Sequence, residues 1–284
     1  KGRKSDTEKF AGAVYTNSLE IFMPNGRAIQ GCTTHLLGQN FAKAFDITFL
    51  DKEGKKQYAW QNSWGYSTRS IGIMVAIHGD DKGLVLPPRI APIQVVIVPI
   101  LFSNKPTVNE KVLELARNLK KELKTIRVEL DDRDEYSPGF KFNYWEMKGV
   151  PLRIEIGPKD LEKNNVVLVR RDSGIKESTP VSDVTIRVIK ILADIQDNLY
   201  RKAKKLLELS IDRADSLAGL KKIIDAGRIA QVNWCGSAEC EAKVKDETGA
   251  KTLNMPFIMP EIKGNCFCGC GKKAENLVYF ARSY

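Results

Sequence analysis

Five of the six cysteines fall within one short stretch, as Cys235-x4-Cys240 followed after 25 residues by Cys266-x-Cys268-x-Cys270. Thiols gathered this way argue against a disulfide framework spread along the chain and for a local metal site. A tetrahedral zinc centre wants two short-range thiolate pairs brought together by a turn or hairpin. Gly236, Gly264, Gly269 and Gly271 supply the permissive backbone that such knuckles need. Four thiolates leave no open position, so the zinc is expected to be structural. Cys235, Cys240, Cys266, Cys268 and Cys270 compete for four places, and the spacing does not choose among the last three. Cys32 stands apart.

The length of 284 residues predicts two or three domains. With 43% hydrophobic and 28% charged residues, chain-wide disorder is excluded. No apolar run reaches the ~18–20 residues of a membrane span; the longest, around Ile93–Phe102, is broken by Gln94 and Pro99. Lys1-Gly2-Arg3-Lys4 has no apolar segment behind it, so no signal peptide is expected. The net charge of +10 is spread as surpluses of four over 1–92, two over 93–195 and four over 196–284. A polyanionic partner would therefore meet folded surfaces, not a basic tail.

The first boundary is expected near Pro87-Pro88 and Pro92, where fixed backbone angles suit a linker. Before it, Tyr15–Phe22 and Phe45–Leu50 alternate like strands. Lys52-Glu53-Gly54-Lys55 reads as a turn into a strand at Gln57–Trp60. Thr68–His78 reads as a largely buried helix or long strand, with Ser67 or Thr68 as a cap. This region is predicted to be antiparallel sheet with one inserted helix. After the prolines, Gln94–Ile100 is a buried-type strand. Asn109–Lys124 is an amphipathic helix with Val112, Ala116, Leu119 and Leu123 on one face and Asn109 as its cap. Ile126–Leu130, Leu152–Ile156 and Val166–Val169 are further strands, and Asp183–Leu207 is a long helix with Val184, Val188, Ile191, Ile195 and Leu199 inward. This alternation predicts an α/β domain over 93–195. Ser216–Ala226 is a short helix closed by Gly227, Ile229–Trp234 is a strand, and the apolar terminus from Asn276 to Tyr284 is expected to dock.

Several residues carry chemistry. His35, in Gln30-Gly31-Cys32-Thr33-Thr34-His35, reads either as a satisfied polar residue or as a ligand contact. Gly31 would let a ligand approach the backbone. Cys32 has no basic neighbour and reads as a buried, inert thiol. Arg69 follows Ser63-Trp64-Gly65-Tyr66-Ser67-Thr68 where a helix begins, a place that suits a phosphate; a surface arginine is the alternative. Aromatics interleave with lysines from Gly139 to Arg153, a pattern of stacking plus charge found in binders of single-stranded nucleic acid. There Arg153 could read guanine O6 and N7, and Glu146 could accept from guanine N–H groups. The alternative is an aromatic cluster covering a sheet edge. Arg170-Arg171 reads as a solvated basic pair.

Three groups of motifs go beyond pattern. The first comprises Lys1-Gly2-Arg3-Lys4…Glu8-Lys9-Phe10-Ala11-Gly12-Ala13, Gly31…Thr33-x-His35-x-Leu37-Gly38-Gln39-Asn40-Phe41, and Trp64-Gly65…Thr68-Arg69…His78-Gly79-Asp80-Asp81-Lys82-Gly83-Leu84-Val85-Leu86-Pro87-Pro88. The second is Phe142-Asn143-x-Trp145-Glu146 with Gly149-Val150-Pro151-Leu152-Arg153-Ile154-Glu155-Ile156-Gly157-Pro158; the third is the cysteine-bearing tail ending Arg282-Ser283-Tyr284. Together they resemble the prolyl-tRNA synthetase family of archaeal and eukaryotic type, over essentially the whole chain. The resemblance implies a multidomain α+β and α/β chain. Residues 1–92 would be the C-terminal half of a class II antiparallel-sheet catalytic domain, with motif 3. Residues 93–195 would be an α/β anticodon-binding domain, and 196–284 a small α+β zinc-containing C-terminal domain.

The resemblance further implies that proline and ATP, with Mg²⁺, give prolyl-adenylate and pyrophosphate, and that the prolyl group then passes to tRNA(Pro). It implies a cytoplasmic homodimer that does not engage a membrane. Phe10, Thr33, His35, Ser63, Trp64 and Gly65 would bind proline, with Phe10 and Trp64 as apolar walls. Gln30, Thr33, Thr68 and Arg69 would bind ATP, and Arg69 would be the catalytic arginine. Glu146 and Arg153 would read the two guanines of the anticodon. The family's C-x-C-G-Lys pattern fits Cys268-x-Cys270-Gly271-Lys272, while Cys266-x-Cys268 is equally spaced. Motifs 1 and 2 would precede residue 1, so this stretch alone is expected to lack adenylation activity. The competing readings are a non-catalytic tRNA-binding module, disfavoured by intact Thr33, His35 and Arg69, and a class II synthetase for threonine or glycine. The segments around Phe10 and His35 favour proline.

Overall fold

The alternation over Tyr15–Phe22 does produce a strand (β2), which lies between Gly2–Arg3 (β1) and Ala28–Gly38 (β3). The computed structural model describes residues Lys1–Tyr284. They divide into two compact units, Met74–Lys204 and the combination of Lys1–Ile73 with Lys205–Tyr284. Pro87-Pro88 therefore lies inside a unit. After β3 come Asn40–Ala44 (α1), a hairpin of Thr48–Leu50 (β4) and Lys56–Tyr58 (β5), and Gln61–Tyr66 (β6), which pairs antiparallel with β3. The strand expected over Phe45–Leu50 is shorter than the pattern suggested. Phe45 closes α1 by donating its N–H to Phe41, and Asp46 turns the chain with φ 51°. The turn at Lys52–Lys55 forms as expected, with Asp51 accepting the Glu53 and Lys55 N–H groups.

Arg69–His78 (α2) is a helix, but only Ile73 in it is buried, which corrects the expectation of a largely buried segment. The region also holds two helices, α1 and α2, where one was expected.

The Met74–Lys204 unit is built on a five-stranded mixed sheet. Val95–Pro99 (β7) lies parallel to both Val128–Leu130 (β8) and Leu152–Ile156 (β9). Asn165–Arg170 (β10) and Lys176–Pro180 (β11) extend the sheet antiparallel. The central β7 is buried on both faces, as its unbroken apolar run requires. Val95 and Ile97 face a core with Val112, Ala116, Leu119 and Leu123 of Pro106–Glu122 and its end (α3), and with Val184, Val188, Ile191, Ile195 and Leu199 of Val184–Leu209 (α6). Val96 and Val98 face the other way, toward Phe142 and Trp145 of Pro138–Met147 (α4). Asn109 does not cap α3. The helix starts earlier, at Pro106, and the Asn109 side chain instead bonds both backbone groups of Phe102. A short helix, Pro158–Glu162 (α5), links β9 to β10.

The remaining chain adds a second sheet to the other unit. Ile211–Arg213 (β12), Ile229–Trp234 (β13), Asn276–Ala281 (β16) and Lys251–Thr252 (β14) lie in that order. Leu217–Asp225 (α7) is capped by the Ser216 hydroxyl and followed by Gly227 at φ 67°, as expected. Ala238–Thr248 (α8) is capped by Ser237. The apolar terminus docks as β16, with Phe280 and Ala281 fully buried. Met255–Pro256 (β15) pairs with β1, and Phe22, Ala28, Ile229, Leu253 and Ala281 share a core, so this region packs directly on the first sheet.

Candidate functional site

Cross-strand register decides which side chains of β3 meet. Thr33 lies opposite Ser18 and Gly65, and His35 lies opposite Thr16 and Ser63. These six residues share one face of the sheet. Gly65 matters there because an added Cβ would stand 3.0 Å from Thr33 Oγ1. Phe10 lies against this face, its ring centroid 4.8 Å from that of His35. Thr16 Oγ1 accepts the Phe10 N–H at 2.9 Å and stands 2.9 Å from His35 Nδ1. Its own proton can then go to Nδ1, which leaves His35 Nε2–H as a donor. Burial lowers the His35 pKa, which favours the neutral ring.

Trp64 was expected as a wall of this pocket and is not one. It lies opposite Thr34, so the two-residue period of a strand sends it to the other face, where it is 78% exposed. Cys32 pairs with Leu19 and Tyr66 and shares that other face. It is half-buried, not the buried thiol expected.

Gln30 would by parity also face away from Thr33. The register between β2 and β3 shifts at Leu19/Glu20, so that Gly31 is the extra residue and Gln30 lies opposite Glu20. This bulge returns Gln30 to the Thr33 face. An added Cβ at Gly31 would stand 2.6 Å from Ile21 Cδ1. Gln30 lines a cavity of about 300 Å³ with Arg69, Lys4, Glu8, Ser283 and Tyr284. Arg69 Nη1 reaches the Gln30 carbonyl at 3.5 Å, and Lys4 is paired with the largely buried Glu20 at 2.8 Å. Thr68 precedes α2 and does not line this cavity, nor does Thr33.

The Met74–Lys204 unit has its own cleft of about 200 Å³, lined by Lys82, Trp145, Glu146, Arg153, Arg171 and Lys176 among others. Both residues expected to read bases are therefore in one place. Arg153 lies over the Phe142 ring at 4.4 Å, and its Nε donates to Glu155 at 2.9 Å. Glu146 is paired with Lys82 at 3.1 Å. The aromatic segment is a helix whose Phe142 and Trp145 cover Val96 and Val98 of the sheet. Ser137 caps it, and Trp145 donates its Nε1–H to the buried Asp131 at 2.7 Å. Asp131 also takes Arg133 and has Lys141 at 4.0 Å; burial works against its ionisation, but the Arg133 and Trp145 hydrogen bonds outweigh it and lower its pKa. Arg171 is not solvated as expected. It is 8% exposed and pairs in bidentate fashion with Asp80. Arg170 is likewise paired, with Asp172.

Four of the five clustered cysteines converge. The sulfurs of Cys235, Cys240, Cys266 and Cys270 lie within 4.8 Å of one another. Cys240 is 3.8 Å from Cys235 and 4.0 Å from Cys266, and Cys270 is 3.8 Å from Cys235. These separations are too long for disulfides. They match the edge of about 3.8 Å of a sulfur tetrahedron around zinc at ~2.3 Å. The donor set thus fits a thiophilic metal. Of the last three cysteines, Cys266 and Cys270 join the cluster and Cys268 does not. Burial opposes ionisation at Cys235, but hydrogen bonds from Ser237 outweigh it and bring that thiol to about 7. Burial pushes Cys240 and Cys266 up.

Residues 94–191 match the family model described as an anticodon binding domain. Residues 217–284 match the model described as prolyl-tRNA synthetase, C-terminal. The chain as a whole is similar to proline–tRNA ligases. It is 46% identical over its whole length to a proline–tRNA ligase of Oceanobacillus iheyensis, of which it covers 58%. It is 46% identical to one of Cenarchaeum symbiosum, covering 59%, and to a cytoplasmic one of Arabidopsis thaliana, covering 55%. The chain thus spans somewhat more than half the length of these curated relatives. No helix is long and apolar enough to cross a membrane.

Proposed function

We propose that this chain belongs to a proline–tRNA ligase. Residues 1–92 would be the motif 3 half of a class II catalytic domain, 93–195 the anticodon-binding domain and 196–284 the zinc-binding domain. The observation that carries the reading is the shared face of β3, where the bulge at Gly31 aligns Gln30 with Thr33 and His35.

A pyrrolidine ring suits the apolar surface offered by Phe10 beside His35. The Thr33 hydroxyl and the His35 Nε2–H are donors for its carboxylate, with Ser63 and Gly65 forming the floor. Gln30 and Arg69 would hold ATP in the neighbouring cavity. The proline carboxylate oxygen then bonds to the α-phosphorus as the bond to pyrophosphate breaks. No side chain serves as nucleophile, so these residues act by positioning and by balancing charge. Mg²⁺ would supply further neutralisation of the phosphates. The prolyl group would finally pass to the 3′ end of tRNA(Pro), with Glu146 and Arg153 reading two anticodon guanines. Cys235, Cys240, Cys266 and Cys270 would hold a structural Zn²⁺. A cytoplasmic homodimer is the assembly this reading implies.

The test is proline-dependent ATP–pyrophosphate exchange by the full-length protein. Exchange that His35→Ala weakens through KM for proline is expected. Tight tRNA binding with no exchange would instead favour a non-catalytic binding module.

A further inference from the structure

Glu241 is a buried carboxylate whose partners are hydroxyls, not a cation. It is 7% exposed, accepts the Ser5 hydroxyl at 2.9 Å, and takes the Thr7 hydroxyl on its other oxygen. It lies in the first turn of α8, where the helix dipole favours a negative charge. Burying a carboxylate against neutral donors still costs desolvation. That cost goes into fixing one short segment, the turn that delivers Phe10.

Lys4, at the start of the turn, is held by its N–H to the Thr16 carbonyl and by its pair with Glu20, and Lys9 reaches Asp6 at 2.8 Å. The Ser5 carbonyl accepts the N–H groups of Glu8 and Lys9, which sets the bend. The Phe10 N–H goes to Thr16 Oγ1, the same atom that meets His35. Phe10 itself is 47% exposed, so packing alone does not fix its ring. Hydrogen bonds thus run from Glu241 to Ser5 and from Ser5 to Lys9; Phe10, the next residue along the chain, bonds Thr16, which meets His35.

We propose that Glu241 is a positioning residue for the amino-acid pocket, acting through Ser5 and Thr7 on the placement of Phe10. This rests on the reading of Phe10 and His35 as the proline site. A group that shapes the pocket without touching the reacting atoms changes amino-acid affinity more than turnover.

The experiment is ATP–pyrophosphate exchange by the full-length protein, with KM for proline, KM for ATP and kcat measured separately and metal content determined alongside. Glu241→Ala is expected to raise KM for proline about tenfold while kcat and KM for ATP stay within about twofold. Glu241→Gln, whose amide can still accept one hydroxyl, should recover most of that loss. The double variant Ser5→Ala/Thr7→Val should reproduce Glu241→Ala, and combining all three should add nothing further. An unchanged KM for proline in both Glu241→Ala and the Ser5/Thr7 variant overturns the proposal. So does a parallel fall in kcat, ATP affinity and metal content, which would mark a role in folding only. His35→Ala separates the pocket from the segment that supports it. If it too leaves KM for proline unchanged, the pocket reading fails; if it raises KM while Glu241→Ala does not, only the positioning role fails.

Discussion

Arg171 grips Asp80 through two parallel hydrogen bonds, 2.7 Å from Nη1 and 2.6 Å from Nη2, and turns its Nε to the Glu146 carbonyl 2.9 Å away. One buried guanidinium therefore joins the loop after α2, the end of β10 and the last turn of α4. Gly83 lets that loop come close, since a Cβ there would stand 2.6 Å from the Met147 carbonyl oxygen.

The Arg171 guanidinium holds the Asp80 carboxyl at about 2, against an ordinary 3.8. A carboxylate whose folded pKa is depressed stabilises fully above its unfolded pKa and loses that as pH falls through the folded one. The contribution of Asp80 should thus fade between about pH 4 and about pH 2. Arg171→Ala should cost about 2 kcal/mol near neutral pH, from lost charged hydrogen bonds. Urea unfolding at both ends of that pH range checks this: the variant's deficit should shrink in acid, and a deficit independent of pH would refute the assignment.

The metal centre gives a prediction with a sharp choice in it. Cys268→Ser should keep one zinc per chain, whereas Cys270→Ser should lose it or bind it far more weakly. Elemental analysis after dialysis reads the outcome. Chelation should also destabilise α8 and β16, because metal binding and folding are coupled in closed thiolate sites.

Trp64 and His35 lie on opposite faces of one sheet. Trp64→Ala is therefore expected to leave KM for proline within about twofold, the range of ordinary surface changes. A large rise would place Trp64 in the pocket after all.

Arg153 is held edge-on by Glu155 and stacked on Phe142. Arg153→Ala should raise KM for tRNA ~10- to 100-fold, the discrimination of one good bidentate contact, while proline activation stays intact. Arg153→Lys should not rescue it, because an ammonium provides neither the fork nor the stacking plane. Loss of proline activation as well would indicate misfolding.

Much of this was legible in the residues. Helix α6 and the inward faces of α3 and α6 followed from apolar spacing alone. The Glu146–Arg153 cleft was signalled by aromatics interleaved with lysines, while the full set of residues around Thr33 and His35 came from motif resemblance. What periodicity could not give was parity. Gly31 looks like any glycine in the sequence, yet as a bulge it decides that Gln30 faces the pocket; without it Gln30 would turn away. Trp64 failed for the same reason, since its neighbours Ser63 and Gly65 reach the pocket and the intervening residue cannot. Arg171 read as solvated because its partner, Asp80, is 91 residues away. The Ser137 cap of α4 and the Ser237 cap of α8 were both readable, as serines just ahead of the helices they start. Glu241 carried no local signal, because Ser5 and Thr7 lie more than 230 residues earlier.

The central claim is that the face carrying Phe10, Thr33 and His35 selects proline. The most direct measurement is ATP–pyrophosphate exchange by the full-length protein across a panel including proline, threonine, glycine and alanine. Exchange driven by proline well above the others is the predicted result. Exchange driven by threonine or glycine with proline inert would contradict it.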